Sequence, residues 1–185
     1  LLPGTACTWE INFHTVIDRL AEQYHLICVN YDGFDDEKET KPFTDMLTVT
    51  EKIEDYILKE HNGRVDGAYG SSLGGSFVGL LIQRGRIHID HGFIGSSDLD
   101  QGSPFVARIM TWIVGKWIGD AWKSEKKQKK LQDMLVKNFG MNMDEETSEF
   151  MGEFAKSMVS LHPKTVAREF YSDYVTPLED DIHVD

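Results

Sequence analysis

Strand-like and helical patterns of apolar positions alternate along the first hundred residues. Short strand-like runs lie at residues 1–2, 26–29, 65–69 and 89–95. The intervening stretches carry their apolar residues at helical spacing, at residues 9–23, 48–60 and 73–84. The last of these is predicted to end at Gly85. Short strands that alternate with helices predict an α/β fold, with a mostly parallel sheet flanked by helices.

The pattern changes near residue 100. From residue 103 to 175 the chain shows helical spacing throughout, with methionine and tryptophan prominent and a break expected at His162-Pro163. We interpret residues 1–100 as part of an α/β core, 101–178 as a helical cap over the sheet, and 179–185 as the start of the next core strand.

Both ends of the sequence indicate a fragment of a longer protein. The chain opens at Leu1 without a methionine, and residues 182–185 are typical of the beginning of a strand. We therefore expect further core strands beyond Asp185. Whether a signal peptide precedes Leu1 is left open.

Composition narrows the classes of function. With 41% hydrophobic and 27% charged residues, the 185-residue chain can bury a core, and its net charge of -12 argues against binding nucleic acid. No apolar run reaches the roughly 18–20 residues that cross a bilayer. Cys7 and Cys28 form neither a disulfide framework nor a metal quartet. We expect a cytoplasmic protein without a cofactor.

The segment Gly70-Ser71-Ser72-Leu73-Gly74 fits the pattern G-x-S-x-G and lies between a predicted strand and a predicted helix. A sharp turn there displays the hydroxyl of Ser72, while the two glycines allow backbones to pass closely. The alternatives are a phosphate-binding glycine-rich turn, a plain loop, or Ser71 as the displayed serine. The glycine spacing favours Ser72.

Several segments together resemble the alpha/beta-hydrolase superfamily, in particular bacterial members with a helical cap. They are LLPGTACTW, LICVNYDGF, YGSSLGG and DHGFIGSSDLD. The resemblance implies that Ser72 is the nucleophile and that the backbone N–H groups of Thr5 and Leu73 form an oxyanion hole, with Ala6 as the alternative to Thr5. Most relatives begin this loop with His-Gly, whereas this chain has Pro3-Gly4. Because the donor is a backbone N–H, the histidine is not required.

A serine nucleophile needs a base, and no histidine of this chain fits well. His14, His25, His61, His88, His91 and His183 fall in helices, at a helix end or at the far edge of the sheet, and His162 in the cap is a weak candidate. The family order of serine, acid and histidine implies that both partners lie beyond Asp185. Asp98 and Asp100 end a strand at the correct edge, but helix capping or a solvated turn is favoured for them. Asp32 is expected to fix its own turn.

Two features of the cap remain open. Apolar side chains surround the first cap helix, which predicts either core packing or contact with the apolar part of a substrate. They belong to Phe105, Ile109, Trp112, Ile113, Trp117, Ile118 and Trp122. The lysine-rich residues 123–130 are interpreted as a solvated helix face, with a docking site for an acidic partner as the alternative.

These observations predict a serine hydrolase that acts on an ester or thioester with an apolar part and is inactive as this fragment. Hydrolysis of a carbon–carbon bond or an amide is an alternative on the same scaffold. A binding protein that kept the fold and lost the triad is the alternative from another class. The resemblance disfavours epoxide and haloalkane hydrolysis, since those relatives carry aspartate at the position of Ser72. No oligomeric state is predicted.

Overall fold

The computed structural model describes residues 1–34, 42–97, 99, 102–139, 145–179 and 182. Within these ranges two strands and seven helices follow one another along the chain. They are α1 (Trp9–Ala21), α2 (Met46–Glu60), β1 (Arg64–Ser71), α3 (Leu73–Arg84), β2 (His88–Gly95), α4 (Pro104–Trp122), α5 (Glu125–Phe139), α6 (Glu145–Ser160) and α7 (Pro163–Val175). None of these described helices is both long and apolar enough to cross a membrane.

The sheet is parallel, as the alternating pattern predicts. β1 and β2 pair along their whole length, with Arg64 opposite His88 at one end and Ser71 opposite Gly95 at the other. On the other side of β1, Leu2 forms an isolated parallel bridge. β1 is therefore the central strand of the described sheet, and its carboxyl end leads directly into α3.

The predicted strand at residues 26–29 is not a regular strand. The backbone nitrogen of Leu1 donates to the carbonyl of Ile27 at 2.7 Å, and Val29 donates to the carbonyl of Leu1 at 3.1 Å. The segment thus runs beside the first residues of the chain. Within the described residues these two hydrogen bonds link the segment to Leu1, and no regular strand is formed there.

Helix ends follow from local capping chemistry. The prediction that the second helix starts at residue 48 is wrong, because the Asp45 carboxylate accepts from the Thr48 N–H at 2.8 Å and starts α2 at Met46. The predicted end of α3 is confirmed, since Gly85 adopts a left-handed φ of +58°. The predicted break at His162-Pro163 is also confirmed, and it separates α6 from α7.

α3 is the centre of the main core. Every residue from 73 to 81 is buried, so this helix is covered on all sides over more than two turns. Tyr31 stacks on Phe77 with 4.7 Å between the ring centroids. Around this pair lie the other fully or nearly fully buried apolar side chains of the cluster, among them Phe43, Met46, Val49, Leu73 and Leu80.

A second, smaller core joins the start of the chain to α4–α7, which we call the four-helix segment. Ala6 is completely buried and packs with Ile118, Met158 and Val166, which come from three different helices. The loop that contains Ala6 therefore lies in contact with the four-helix segment, although the three residues it packs against follow it by more than 100 residues.

A buried carboxylate ties α2 to α3 and β2. Glu54 on α2 is fully buried, and both of its oxygens accept from Arg84 at the end of α3, at 2.8 and 3.1 Å. Arg86 donates to the same carboxylate at 2.8 Å from the turn before β2. Arg84 is the less exposed of the two arginines, with 23% of its side chain accessible against 42%. The bidentate hydrogen bonds from Arg84 thus stabilise the carboxylate of Glu54 inside the core.

We expect Arg84→Met to destabilise the protein by about 3 kcal/mol, because it leaves a buried carboxylate with only one partly exposed partner. Arg86→Met should cost clearly less than Arg84→Met, since that arginine is close to solvent. Urea unfolding of the two variants measures the difference. Equal losses would show that the Glu54 charge does not depend on the Arg84 pairing.

Candidate active site

Ser72 lies at a strained turn between β1 and α3. Its φ of +52° and ψ of -118° are outside the backbone regions that residues other than glycine readily adopt. Such a conformation costs roughly 1–3 kcal/mol. The Ser72 N–H donates to the carbonyl of Gly95 at 2.7 Å, and the Ser72 carbonyl accepts from Gly75 at 2.7 Å. The residue itself is exposed. The turn therefore displays this side chain at the carboxyl edge of the sheet.

The two glycines of the motif are required by close backbone contacts. A Cβ on Gly70 would lie well inside 3.0 Å of the backbone of Gly74, and a Cβ on Gly74 would lie equally close to the carbonyl of Leu2. Three stretches of main chain therefore cross at this point without room for a side chain. Ser71, by contrast, is a regular residue of β1, and its N–H donates to Leu2 at 3.1 Å.

The loop of residues 3–7 lies directly against the turn. A Cβ built on Gly4 would be 3.4 Å from the Cβ of Ser72. The loop closes through a hydrogen bond from the Cys7 N–H to the Gly4 carbonyl at 3.2 Å, and Ala6 has a positive φ of +56°. For a residue with a side chain this left-handed conformation costs roughly 1–2 kcal/mol.

Hydrogen bonds distinguish the candidate oxyanion donors. The Ala6 N–H donates to Glu169 Oε2 at 3.1 Å, so it is already engaged and does not suit the role. No residue in the described ranges accepts from the N–H of Thr5 or of Leu73. Leu73 is also the first residue of α3, where the helix dipole favours negative charge. Thr5 and Leu73 thus keep available N–H groups in the segments that flank Ser72.

The loop is held from both sides. On the sheet side, the Tyr31 hydroxyl donates to the Pro3 carbonyl at 2.8 Å, and Asn12 Oδ1 accepts from the Gly4 N–H at 2.7 Å. On the helical side, the Ser157 hydroxyl donates to the Ala6 carbonyl at 2.7 Å, and Glu169 takes the Ala6 N–H. The loop conformation is therefore fixed by side chains from four separate parts of the chain.

Glu169 is a buried acid whose role the sequence analysis missed. It is fully buried, and its second oxygen, Oε1, has no hydrogen-bond partner among the described residues. Burial raises the pKa of its carboxyl well above 4.5, and the nearby Asp173 adds to this effect. The available signal was its position on the buried stripe of α7, three residues from Val166 and from Ser172.

Burial also affects the neighbouring groups. It raises the pKa of the Cys7 thiol to about 12, with a smaller contribution from Glu169. It raises the pKa of Tyr31 well above 10 as well. Both side chains therefore stay protonated near neutral pH, and Cys7 is not a reactive thiolate. The described residues contain no group of three or more His, Cys, Asp or Glu side chains placed to hold a metal ion.

None of the described histidines forms a hydrogen bond with Ser72. His88 begins β2 at the end opposite the turn, seven residues or about 23 Å along the strand from Gly95, and pairs with Asp90 at 2.8 Å. His91 lies in the middle of the same strand. His162 caps α7 by accepting from the Lys164 N–H at 3.1 Å.

The other histidines have local partners. His14 is exposed on α1, with its Nδ1 3.2 Å from the Ile11 carbonyl. His25 and His61 lie side by side with 5.8 Å between their ring centroids, and His61 ends α2. His183 lies outside the described residues.

None of the three candidate acids is found beside Ser72 in the described part of the chain. Asp98 and Asp100 lie outside the described residues. Asp32 forms an ion pair with Lys52 on α2. The turn around Asp32 is closed instead by the backbone, through a hydrogen bond from the Phe34 N–H to the Tyr31 carbonyl at 3.2 Å. The expectation that Asp32 fixes its own turn is therefore replaced by this ion pair.

The outward face of α4 is exposed within the described chain. Phe105, Trp112 and Trp117 are 71%, 66% and 56% exposed, whereas Ile118 is buried. The alternative that these three aromatic side chains pack into a core is therefore wrong within the described residues. A groove of about 410 Å³ runs between α4 and α7, but its lining does not include Ser72. Contact with an apolar substrate stays a prediction.

Several solved structures share this fold. The chain is similar to an alpha/beta hydrolase family protein from Desulfitobacterium hafniense, with a TM-score of 0.69 at 14% identity over 94% of this chain and 66% of that one. MenH from S. aureus gives a TM-score of 0.68 at 15% identity, over 95% and 65% of the two chains. A mutant of the meta-cleavage product hydrolase CumD gives a TM-score of 0.53 at 16% identity, over 94% of this chain and 65% of that one.

These likenesses establish the fold. The chain has the alpha/beta-hydrolase fold, which confirms the predicted fold class. It spans about two thirds of the length of the solved structures that it matches. No protein-family model matches the sequence, and no curated protein is similar to it at a significant level.

The close backbone contacts at the turn lead to a prediction about stability. Gly74→Ala should destabilise the protein by about 3 kcal/mol, because the new methyl group would overlap the Leu2 carbonyl. Gly79→Ala on the same helix is the matched control. Its Cβ would make ordinary contacts at 3.6 Å, so the protein should be unchanged or up to about 1 kcal/mol more stable. Chemical denaturation of both variants provides the comparison.

The burial of Glu169 leads to a prediction about the pH dependence of stability. The unfolded chain releases the Glu169 proton near pH 4.5, whereas the folded protein retains it, so stability falls as the pH rises above 4.5. Glu169→Gln removes this effect. We expect the stability difference between wild type and Glu169→Gln to shift against the wild type by up to about 1.4 kcal/mol per pH unit. Urea unfolding between pH 4 and 8 tests it, and a pH-independent difference would contradict it.

Proposed function

We propose that the protein is a serine hydrolase that cleaves an ester or thioester. Ser72 would be the nucleophile, and the N–H groups of Thr5 and Leu73 would bind the oxyanion. The observation that carries the proposal is the strained, exposed Ser72, together with the N–H groups of Thr5 and Leu73, which have no acceptor in the described chain. The hydrolase scaffold of the matched structures supports it.

The chemistry follows from these positions. A base takes the proton from the Ser72 hydroxyl as its oxygen attacks the carbonyl carbon of the substrate. The carbonyl oxygen becomes an oxyanion, which the two N–H groups stabilise, and each such donor contributes about 3–4 kcal/mol in known hydrolases. The intermediate then expels an alcohol or thiol, which recovers the proton from the base. Water hydrolyses the acyl-serine by the same steps.

The proposal requires a base and an orienting acid from outside the described residues. All described histidines have local partners or lie away from the turn, and Asp98 and Asp100 are not described. We propose that residues 101–178 act as a cap over this site, as in the interpretation of the sequence. The apolar face of α4 is the surface of that cap that suits an apolar substrate part.

A binding protein without catalytic activity is the second candidate. The observation that favours it is the absence, among the described histidines, of any hydrogen bond to Ser72. Cleavage of an amide or a carbon–carbon bond would use the same turn and oxyanion donors. These reactions differ in how the pocket holds the substrate, and they are distinguished only after serine reactivity is established.

The test is labelling with a fluorophosphonate probe of the protein expressed from its complete coding frame. We expect wild-type protein to label and Ser72→Ala to fall to background, because the probe reacts only with an activated serine. Ser71→Ala is the matched control, since Ser71 is the adjacent serine but belongs to β1. It should label like the wild type.

Two outcomes would contradict the proposal. A folded wild-type protein that does not label favours the binding protein. Labelling that survives Ser72→Ala and disappears in Ser71→Ala would move the nucleophile by one residue and would contradict the assignment from the backbone geometry.

A further inference from the structure

The peptide groups around Ala6 connect the candidate oxyanion loop to the four-helix segment. The Ala6 N–H donates to Glu169 on α7, and the Ala6 carbonyl accepts from Ser157 on α6. Both of these side chains are buried, and they lie 163 and 151 residues away along the sequence. Two helices of the segment therefore hold one residue of the loop by its main chain.

This contact acts on the part of the loop that is least stable by itself. Ala6 adopts the left-handed φ of +56° within the tight turn from Gly4 to Cys7. Without an acceptor for the Ala6 N–H, the central Thr5–Ala6 peptide is free to rotate and relieve this strain. Such a rotation changes the backbone of Thr5, whose N–H lies in the adjoining peptide.

The bonding of Glu169 points to the same role. The hydrogen bond to Ala6 accounts for one carboxyl oxygen, and the other has no partner among the described residues. An acid that is buried with one oxygen unsatisfied adds little to the packing of α7 by itself. The Glu169 side chain instead provides a hydrogen-bond acceptor for the Ala6 N–H in the loop.

We propose that Glu169 and Ser157 are positioning residues for the oxyanion hole. Glu169 fixes the Thr5–Ala6 peptide through its N–H, and Ser157 fixes the following Ala6–Cys7 peptide through its carbonyl. Together they hold the loop in the conformation that leaves the Thr5 N–H available beside Ser72. The two contacts from α6 and α7 then decide whether the hole is formed, whereas the other side chains of the four-helix segment have no part in it. The inference rests on the proposed serine hydrolase function.

The experiment compares Glu169→Ala with Glu169→Gln in the protein expressed from its complete coding frame. Glutamine retains an oxygen that can accept from Ala6, whereas alanine removes the acceptor. We expect Glu169→Ala to lower the maximal rate of fluorophosphonate labelling by about tenfold or more, with the half-saturating probe concentration unchanged. Glu169→Gln should label within about twofold of the wild type.

Ser172→Ala is the matched control. It removes another buried hydrogen bond of α7, from the Met46 N–H to Ser172 Oγ at 2.7 Å, which leads to α2 and not to the loop. It should leave the labelling rate unchanged. Ser157→Ala tests the second contact and should slow labelling in the same direction as Glu169→Ala.

Amide hydrogen exchange provides a readout that does not depend on activity. The Ala6 amide should exchange faster in Glu169→Ala, and at the wild-type rate in Ser172→Ala. If wild-type protein does not label, the proposed function fails, and the exchange of Ala6 alone then decides whether Glu169 positions the loop. Unchanged exchange overturns it.

A folded Glu169→Ala protein that labels at the wild-type rate also overturns the proposal, as does a Glu169→Gln protein as slow as Glu169→Ala. If Glu169→Ala does not fold, Ser157→Ala and Glu169→Gln decide. Slow labelling by the former with normal labelling by the latter supports the proposal, and wild-type labelling by Ser157→Ala overturns it.

Discussion

The close crossing of three backbones at Gly70, Gly74 and Leu2 is the constraint on which the site depends. Because no side chain fits there, the end of β1, the start of α3 and the first residues of the chain come together at main-chain distance. The turn between β1 and α3 is then so short that Ser72 must adopt a positive φ. Hydrogen bonds to Gly95 and from Gly75 offset this strain and hold the side chain outward.

The same crossing places the candidate oxyanion loop. Leu2 is hydrogen-bonded on both sides of Gly70, so the chain leaves the sheet at a fixed point and reaches Thr5 three residues later. The proposed site is thus made mainly of main-chain groups, and the only side chain it needs from this region is the Ser72 hydroxyl. A proline at position 3 is compatible with this arrangement, because the proposed donors are backbone N–H groups. The Pro3 carbonyl is used for anchoring, by Tyr31.

Local sequence signals were sufficient for much of this architecture. The alternating pattern predicted the parallel pairing, the glycine spacing predicted the turn at Ser72, and Gly85 marked the end of α3. The predicted start of α2 is wrong because Asp45, which precedes Thr48 by three residues, caps the helix. The predicted strand at residues 26–29 is not regular, and it joins the start of the chain through two backbone hydrogen bonds to Leu1. The contacts of Glu169 and Ser157 could not be predicted, because they join segments more than 150 residues apart. The exposure of α4 likewise depends on tertiary packing.

The burial of Glu169 also has an electrostatic consequence for a site that is proposed to develop negative charge. An ionised carboxylate bonded to Ala6 would oppose an oxyanion held one residue away at Thr5. Desolvation raises the pKa of this carboxyl, so it remains protonated at pH values at which an exposed glutamate is ionised. A neutral acid still accepts a hydrogen bond from the Ala6 N–H through its carbonyl oxygen. The packing of α7 against the loop therefore provides the acceptor and at the same time suppresses the charge that would make it harmful.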